Sequence, residues 1–205
     1  GYRINGKTTY AMEGSIFIAG AGVQWLRDRM KFFKKAPETE KIIKSLKSNN
    51  GIYLVPAFTG LGAPHWNANS RGVLSGITRD TNPKEIVRAT IEAVAYQTND
   101  LFDAMKHDGL RPKIVKVDGG MVMNNWFSQF LSDVINVKVL RPKVQETTAA
   151  GAAFMAGLKI GVYKSLKDIS KNWHLDKKFS PKMKNNFRTN LLKGWSTAVK
   201  RTLIN

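Results

Sequence analysis

The sequence predicts an α/β layout with a sheet covered on both faces. Three observations carry that expectation. From Gly51 onward, short apolar or β-branched runs alternate with longer stretches of helical spacing. Residues 51–58 (Gly-Ile-Tyr-Leu-Val-Pro-Ala-Phe) are almost continuously apolar, as in a strand buried on both faces. Residues 148–160 hold Ala149-Ala150-Gly151-Ala152-Ala153, a composition suited to a helix lying close against a sheet or another helix.

Taken in order, residues 7–12 read as a short strand ending before Gly14. Over residues 15–33, Ile16, Ala19, Val23, Leu26 and Met30 follow helical spacing, with Gly20 and Gly22 interrupting it. A glycine inside a helix costs about 1 kcal/mol relative to alanine, so these two need a packing or ligand reason. Residues 34–50 are polar and lysine-rich, a surface helix or loop, and residues 73–77 suggest a second short strand. Asn82-Pro83 then opens a long helix with Ile86, Ala89, Thr90, Ala93, Val94, Gln97, Leu101 and Met105 on one broad face. Strands are expected at residues 114–117 and 137–140, and helices at 125–135 and 148–160. Residues 163–205 read as a basic tail packed on the domain through Trp173, Phe179, Phe187, Leu191, Leu192, Trp195 and Val199.

At 205 residues the chain is long enough to bury a sizeable core. A hydrophobic content of 42% without any long apolar run fits a soluble protein rather than a membrane-spanning one. The lack of cysteine removes disulfides and thiolate metal sites and fits a cytoplasmic setting. His65, His107 and His174 lie too far apart for a local metal motif, so no protein-held metal is expected. The formal charge of +18 raises the alternative of a basic nucleic-acid-binding protein. From Lys159 to the end, twelve Lys or Arg face only Asp168 and Asp176, a net of +10. Most are lysine, and no basic stretch alternates with aromatics as a stacking platform would, so a solvated surface is the better account.

Candidate chemistry concentrates at two places. Asp118-Gly119-Gly120 follows a strand and precedes a helix, where α/β proteins tend to hold phosphates. The stretch lacks the third glycine of a dinucleotide fingerprint and the Gly-Lys-Ser/Thr of a P-loop. Read alone, it allows either ligand contact or tight packing. Asn124 suits a helix N-cap, and Asp118 suits an acceptor of backbone hydrogen bonds in the turn. Gly20 and Gln24 stand one helical turn apart, a bare backbone beside a carboxamide; a helix crossing at Gly20 is the alternative. Glu13, Glu92 and Asp118 have no spacing that argues for an acid and base pair, and no serine pairs with a histidine as a nucleophile.

Five segments in order resemble the C-terminal part of the FGGY family of carbohydrate kinases. They are Tyr10-Ala11-Met12-Glu13-Gly14; residues 20–28 (Gly-Ala-Gly-Val-Gln-Trp-Leu-Arg-Asp); residues 55–66, ending Thr59-Gly60-Leu61-Gly62-Ala63-Pro64-His65-Trp66; residues 72–77 with 85–92; and Asp118-Gly119-Gly120 through Asn124-Asn125. The resemblance spans nearly the whole chain. It implies a ribonuclease-H-like domain of the actin and hexokinase ATPase class, a mixed sheet flanked by helices, closing with a second domain on ATP. The loop at residues 58–66 favours glycerol over a pentulose as the acceptor within that family.

By the same resemblance, Gly20 and Gln24 would lie along the nucleotide, and Gly120 and Asn124 would approach its adenosine end. No catalytic residue is expected in this chain, because the family carries its catalytic aspartate and phosphate loop in an N-terminal domain. The first strands of the C-terminal domain would also precede Gly1, so the chain alone is expected to be inactive. Magnesium would be held by phosphates and by the other domain. The implied partners are ATP, ADP and glycerol, with a homo-oligomer expected for the complete enzyme.

Overall fold

The computed structural model describes residues 1–203; the last two positions of the expected basic tail lie outside them. The chain opens with a hairpin, β1 (Tyr2–Ile4) paired antiparallel with β2 (Lys7–Thr9). Asn5-Gly6 at its turn, both at positive φ, is the dipeptide that favours a two-residue hairpin turn. The expected strand therefore stops at Thr9, and a partner strand precedes it.

The first helix, α1 (Gly20–Asp28), is shorter than the expected span. Gly20 begins the helix instead of interrupting it. Gly22 lies inside, and a Cβ there would stand 3.0 Å from Thr90 Cγ2, so a close helix crossing explains this glycine. Residues 36–44 form more than a surface segment: α2 (Glu38–Lys44) buries Thr39 and Ile43.

Next come β3 (Tyr53–Val55) and β4 (Val73–Ser75), paired antiparallel. The long helix α3 (Pro83–His107) starts with a capping box: Asn82 accepts from Lys84 N, and Glu85 accepts from the Asn82 N–H. Its first half is buried nearly all round because it touches α1, α2 and β3, and also α4 (Asn125–Ile135). The expected single face was thus too narrow.

The mixed sheet is β5 (Ile114–Lys116), parallel to β6 (Lys138–Pro142), which pairs antiparallel with β7 (Leu175–Phe179). Val115, Val139 and Phe179 join the core beneath α4. Helix α4 packs only one face; the second, expected to be covered as well, is largely exposed. The register sets Ile114, Lys116, Lys138, Leu140 and Lys178 on the other, where Lys116 Nζ lies 4.1 Å from the centre of the Trp173 ring.

Helix α5 (Thr147–Lys159) buries only Gly157. Its small residues do not lie along a sheet or another helix as expected; the close approach is local, Gly157 against the Tyr163 ring of the turn that follows. Beyond a short α6 (Leu166–Ser170), the region read as a tail supplies β7 and an 18-residue helix, α7 (Asn185–Thr202). Trp195 is 2% exposed, stacks on Tyr96 and donates from its ring nitrogen to Asp100 Oδ2 at 2.7 Å. Phe187, expected as an anchor, is exposed instead. Among the described residues, no helix is long and apolar enough to cross a membrane.

Candidate functional site

Helices α1 and α2, the residue Ile91 of α3 and the turn before α4 enclose a cleft of about 390 Å³. It gathers all four residues singled out by resemblance: Gly20, Gln24, Gly120 and Asn124. Helical spacing explains α1's share. Gly20, Val23, Gln24 and Arg27 fall on one face of the helix and line the cleft, while Gly22 and Leu26 on the opposite face enter the core. Gln24 is exposed and makes no hydrogen bond to another described residue through its amide, so both its donor and its acceptor are available.

The turn before α4 is built for a close approach. Gly119 sits at φ +82°, where an L side chain is strained. Gly120 to Met123 form one turn of 3₁₀ helix ending at Asn124. Gly120 has neither structural reason to be glycine: its φ is not positive, and a Cβ there would meet nothing within 4 Å. Gly20 is the same in both respects. Each presents bare backbone to the cleft.

Asn124 is both cap and cleft wall. Its Oδ1 accepts from Phe127 N at 3.0 Å, the N-cap bond of α4, and its Nδ2 donates towards Thr39 Oγ1 at 3.4 Å. The buried Thr39 hydroxyl gives its own proton to Ala36 O at 2.7 Å. Asp118 does not play the part expected of it. Its side chain is exposed and accepts no backbone bond among the described residues, and the turn is instead held by Gly119 N donating to Gln145 O at 3.4 Å.

Sequence reasoning missed the contribution of α2. Thr39 and Glu40 line the cleft, with Ala36 and Pro37 completing that wall. Glu40 Oε2 accepts from the Asn125 N–H at 3.2 Å, and its Oε1 pairs with Lys44 Nζ at 2.6 Å. Burial pushes this carboxyl up, but Lys44 and the backbone donor outweigh that, holding it below the ordinary glutamate range. A proline followed by two glutamates was the available signal, since acidic residues in a first turn mark a helix start. Arg27 stands at the rim, held by Asp28 through bonds of 2.7 and 2.8 Å.

Val23, Ile91, Met121 and Met123 add apolar lining to this cleft. A slot with apolar walls, two bare glycines, two carboxamides and a cation at the rim suits a flat heterocycle bearing a charged group. A second, wider groove between the hairpin and α5–α6 carries Arg3, Lys159, Lys164 and Lys167 but none of the residues singled out.

The mixed sheet and flanking helices define the class: an α/β domain of the actin and hexokinase ATPase fold. The sequence model of the FGGY family of carbohydrate kinases, C-terminal domain, matches residues 2–160, and the chain belongs to that family. It is 54% identical over 201 residues to glycerol kinase 1 of Pseudomonas aeruginosa, covering 98% of this chain and 41% of that protein. With the glycerol kinase of Alcanivorax borkumensis the identity is 55% over 202 residues, with the same coverage of 98% and 41%. The crystal structure of Plasmodium falciparum glycerol kinase with ADP superimposes at a TM-score of 0.85 and 38% identity, over 94% of this chain and 38% of that one. A xylulose kinase from Rhodospirillum rubrum matches at a TM-score of 0.78 and 19% identity, over 92% of this chain and 39% of that one, a likeness of fold alone. The chain thus spans about two fifths of the length of the curated relatives it matches.

Proposed function

We propose that this chain is the nucleotide-side domain of an ATP-dependent kinase that transfers a phosphoryl group to a hydroxyl of glycerol. The observation that carries the reading is the convergence of Gly20, Gln24, Gly120 and Asn124, distant in sequence, on one cleft. The choice of glycerol rests on identity above half to relatives named glycerol kinase. The whole of residues 1–205 is read as one C-terminal domain working in a cytoplasmic enzyme.

Phosphoryl transfer asks a protein mainly for positioning and for stabilisation of charge. In this reading Gly20 and Gly120 let the nucleotide reach the backbone, Gln24 and Asn124 orient it, and Arg27 offers charge towards its phosphates. Glu40, the carboxylate of the cleft, is oriented by Lys44 and Asn125, which hold it below the ordinary glutamate range and make it a poor general base. Among the described residues no group of three or more His, Cys, Asp or Glu is placed to hold a metal ion, and in this reading magnesium is held by phosphate oxygens and by the companion domain. A homo-oligomer belongs to the same reading of the complete enzyme.

Calorimetric titration of the purified chain with ADP tests the proposal. ADP should bind, and Gly20→Val or Gly120→Val should weaken it about tenfold or more, because the added side chain fills the cleft. The melting temperature of Gly120→Val should stay close to that of the wild type, since a Cβ there meets no neighbour. Absence of ADP binding, or full retention of it in both variants, would count against this function.

A further inference from the structure

Building on the nucleotide reading of the cleft, we propose that Glu40 and Asn124 together read the base, selecting adenine over guanine through its N7 and 6-amino edge. The capping bond fixes the orientation of the Asn124 carboxamide. Phe127 N–H needs an acceptor, so Oδ1 must face α4 and the amide nitrogen must be the end left over. One amide proton is directed at Thr39 Oγ1, which has already spent its own proton on Ala36 O. The second proton remains, so the end of Asn124 turned away from α4 offers a ligand a donor.

Glu40 supplies the opposite character. Its oxygens accept from Lys44 Nζ and from the backbone N–H of Asn125, the residue next to Asn124. A carboxylate has about four lone-pair sites, so acceptor capacity is left on this cleft-lining residue. A fixed donor thus stands beside a fixed acceptor at the same end of the cavity.

Adenine presents the matching pair along one edge, an N7 acceptor and a 6-amino donor. Guanine presents two acceptors there, N7 and O6, so its O6 would face the Glu40 carboxylate. An unpaired or repelled polar group in a site built for its opposite is strongly rejected. Apolar contacts from Val23, Ile91 and Met121 would hold either purine equally, which leaves the discrimination to the two polar residues.

The test compares ADP, GDP and 7-deaza-ADP by calorimetric titration of the purified chain and of Glu40→Gln. The wild-type chain should prefer ADP to GDP by about tenfold or more, and loss of N7 should weaken ADP by about tenfold. In Glu40→Gln the amide can donate to O6, so the preference should collapse towards unity, chiefly through better GDP binding. Circular dichroism checks that the variant is folded, and the wild-type comparisons stand whether it folds or not. Equal wild-type affinity for ADP and GDP overturns the inference. So does a Glu40→Gln variant that weakens both nucleotides alike, because a residue that merely props α4 would do that. Failure of ADP to bind at all removes the nucleotide reading itself, a different result from binding without discrimination.

Discussion

Single residues separate positions fixed by packing from positions left for a ligand. Gly22 belongs to the first kind. Gly22→Val should lower stability by about 1–3 kcal/mol in urea unfolding, because its side chain must displace Thr90 or push α1 off α3. Gly20, two residues away, has no such neighbour, a difference that sequence spacing alone could not reveal. The buried Glu92 is a second case. It accepts from Arg88 Nε at 2.7 Å, Asn49 Nδ2 at 3.0 Å and Tyr96 Oη at 3.1 Å. Burial pushes its carboxyl up, against the opposing pull of Arg88. A carboxyl raised by folding adds stability that is complete below its ordinary value of 4.5 and is lost as pH rises through the folded value. Wild-type stability relative to Glu92→Gln should therefore grow as the pH of the denaturation series falls towards that value. Glu92→Ala should cost about 3 kcal/mol or more at neutral pH, since it strands Arg88 in the core.

Elements with strong local signals were the most legible. The span of α4 was read correctly from its pattern, and the start of α3 from Asn82-Pro83, because capping chemistry is local. Helix α5 misled for the opposite reason: small residues permit close packing without saying against what. Helix α2 was underestimated because five of its seven residues are charged or polar, and only Thr39 and Ile43 are buried. Helix α7 was read only as part of a basic tail, although Leu191, Trp195 and Val199 of its buried face were expected as anchors and Ala198 was not. Trp195→Ala should cost about 3–5 kcal/mol in thermal or urea unfolding, through the loss of its stack on Tyr96 and of the bond to Asp100.

Across the whole molecule, the α/β class and the order of elements from β3 to α5 were legible, but their sheet partnership was not. Pairing joins residues far apart in sequence, and nothing local in residues 175–179 announces that they add a strand beside β6. The candidate site followed the same division. Resemblance reached its four residues, whereas Thr39 and Glu40 became visible only once α2 was seen to form a wall. The high charge also finds a partial physical place, since one face of the mixed sheet carries Lys116, Lys138 and Lys178. Removing residues 163–203 would strip β7 and α7 from the core although the family match ends at residue 160. Such a shortened chain should show no cooperative calorimetric transition.

The burial of Trp195 also bears on how the chain comes into being. Tyr96 and the neighbouring face of β3 wait for α7, which a ribosome makes after every other described element. Until that helix emerges, the growing polypeptide carries an uncovered aromatic surface, so its core must close late in synthesis and earlier intermediates are natural clients for a chaperone.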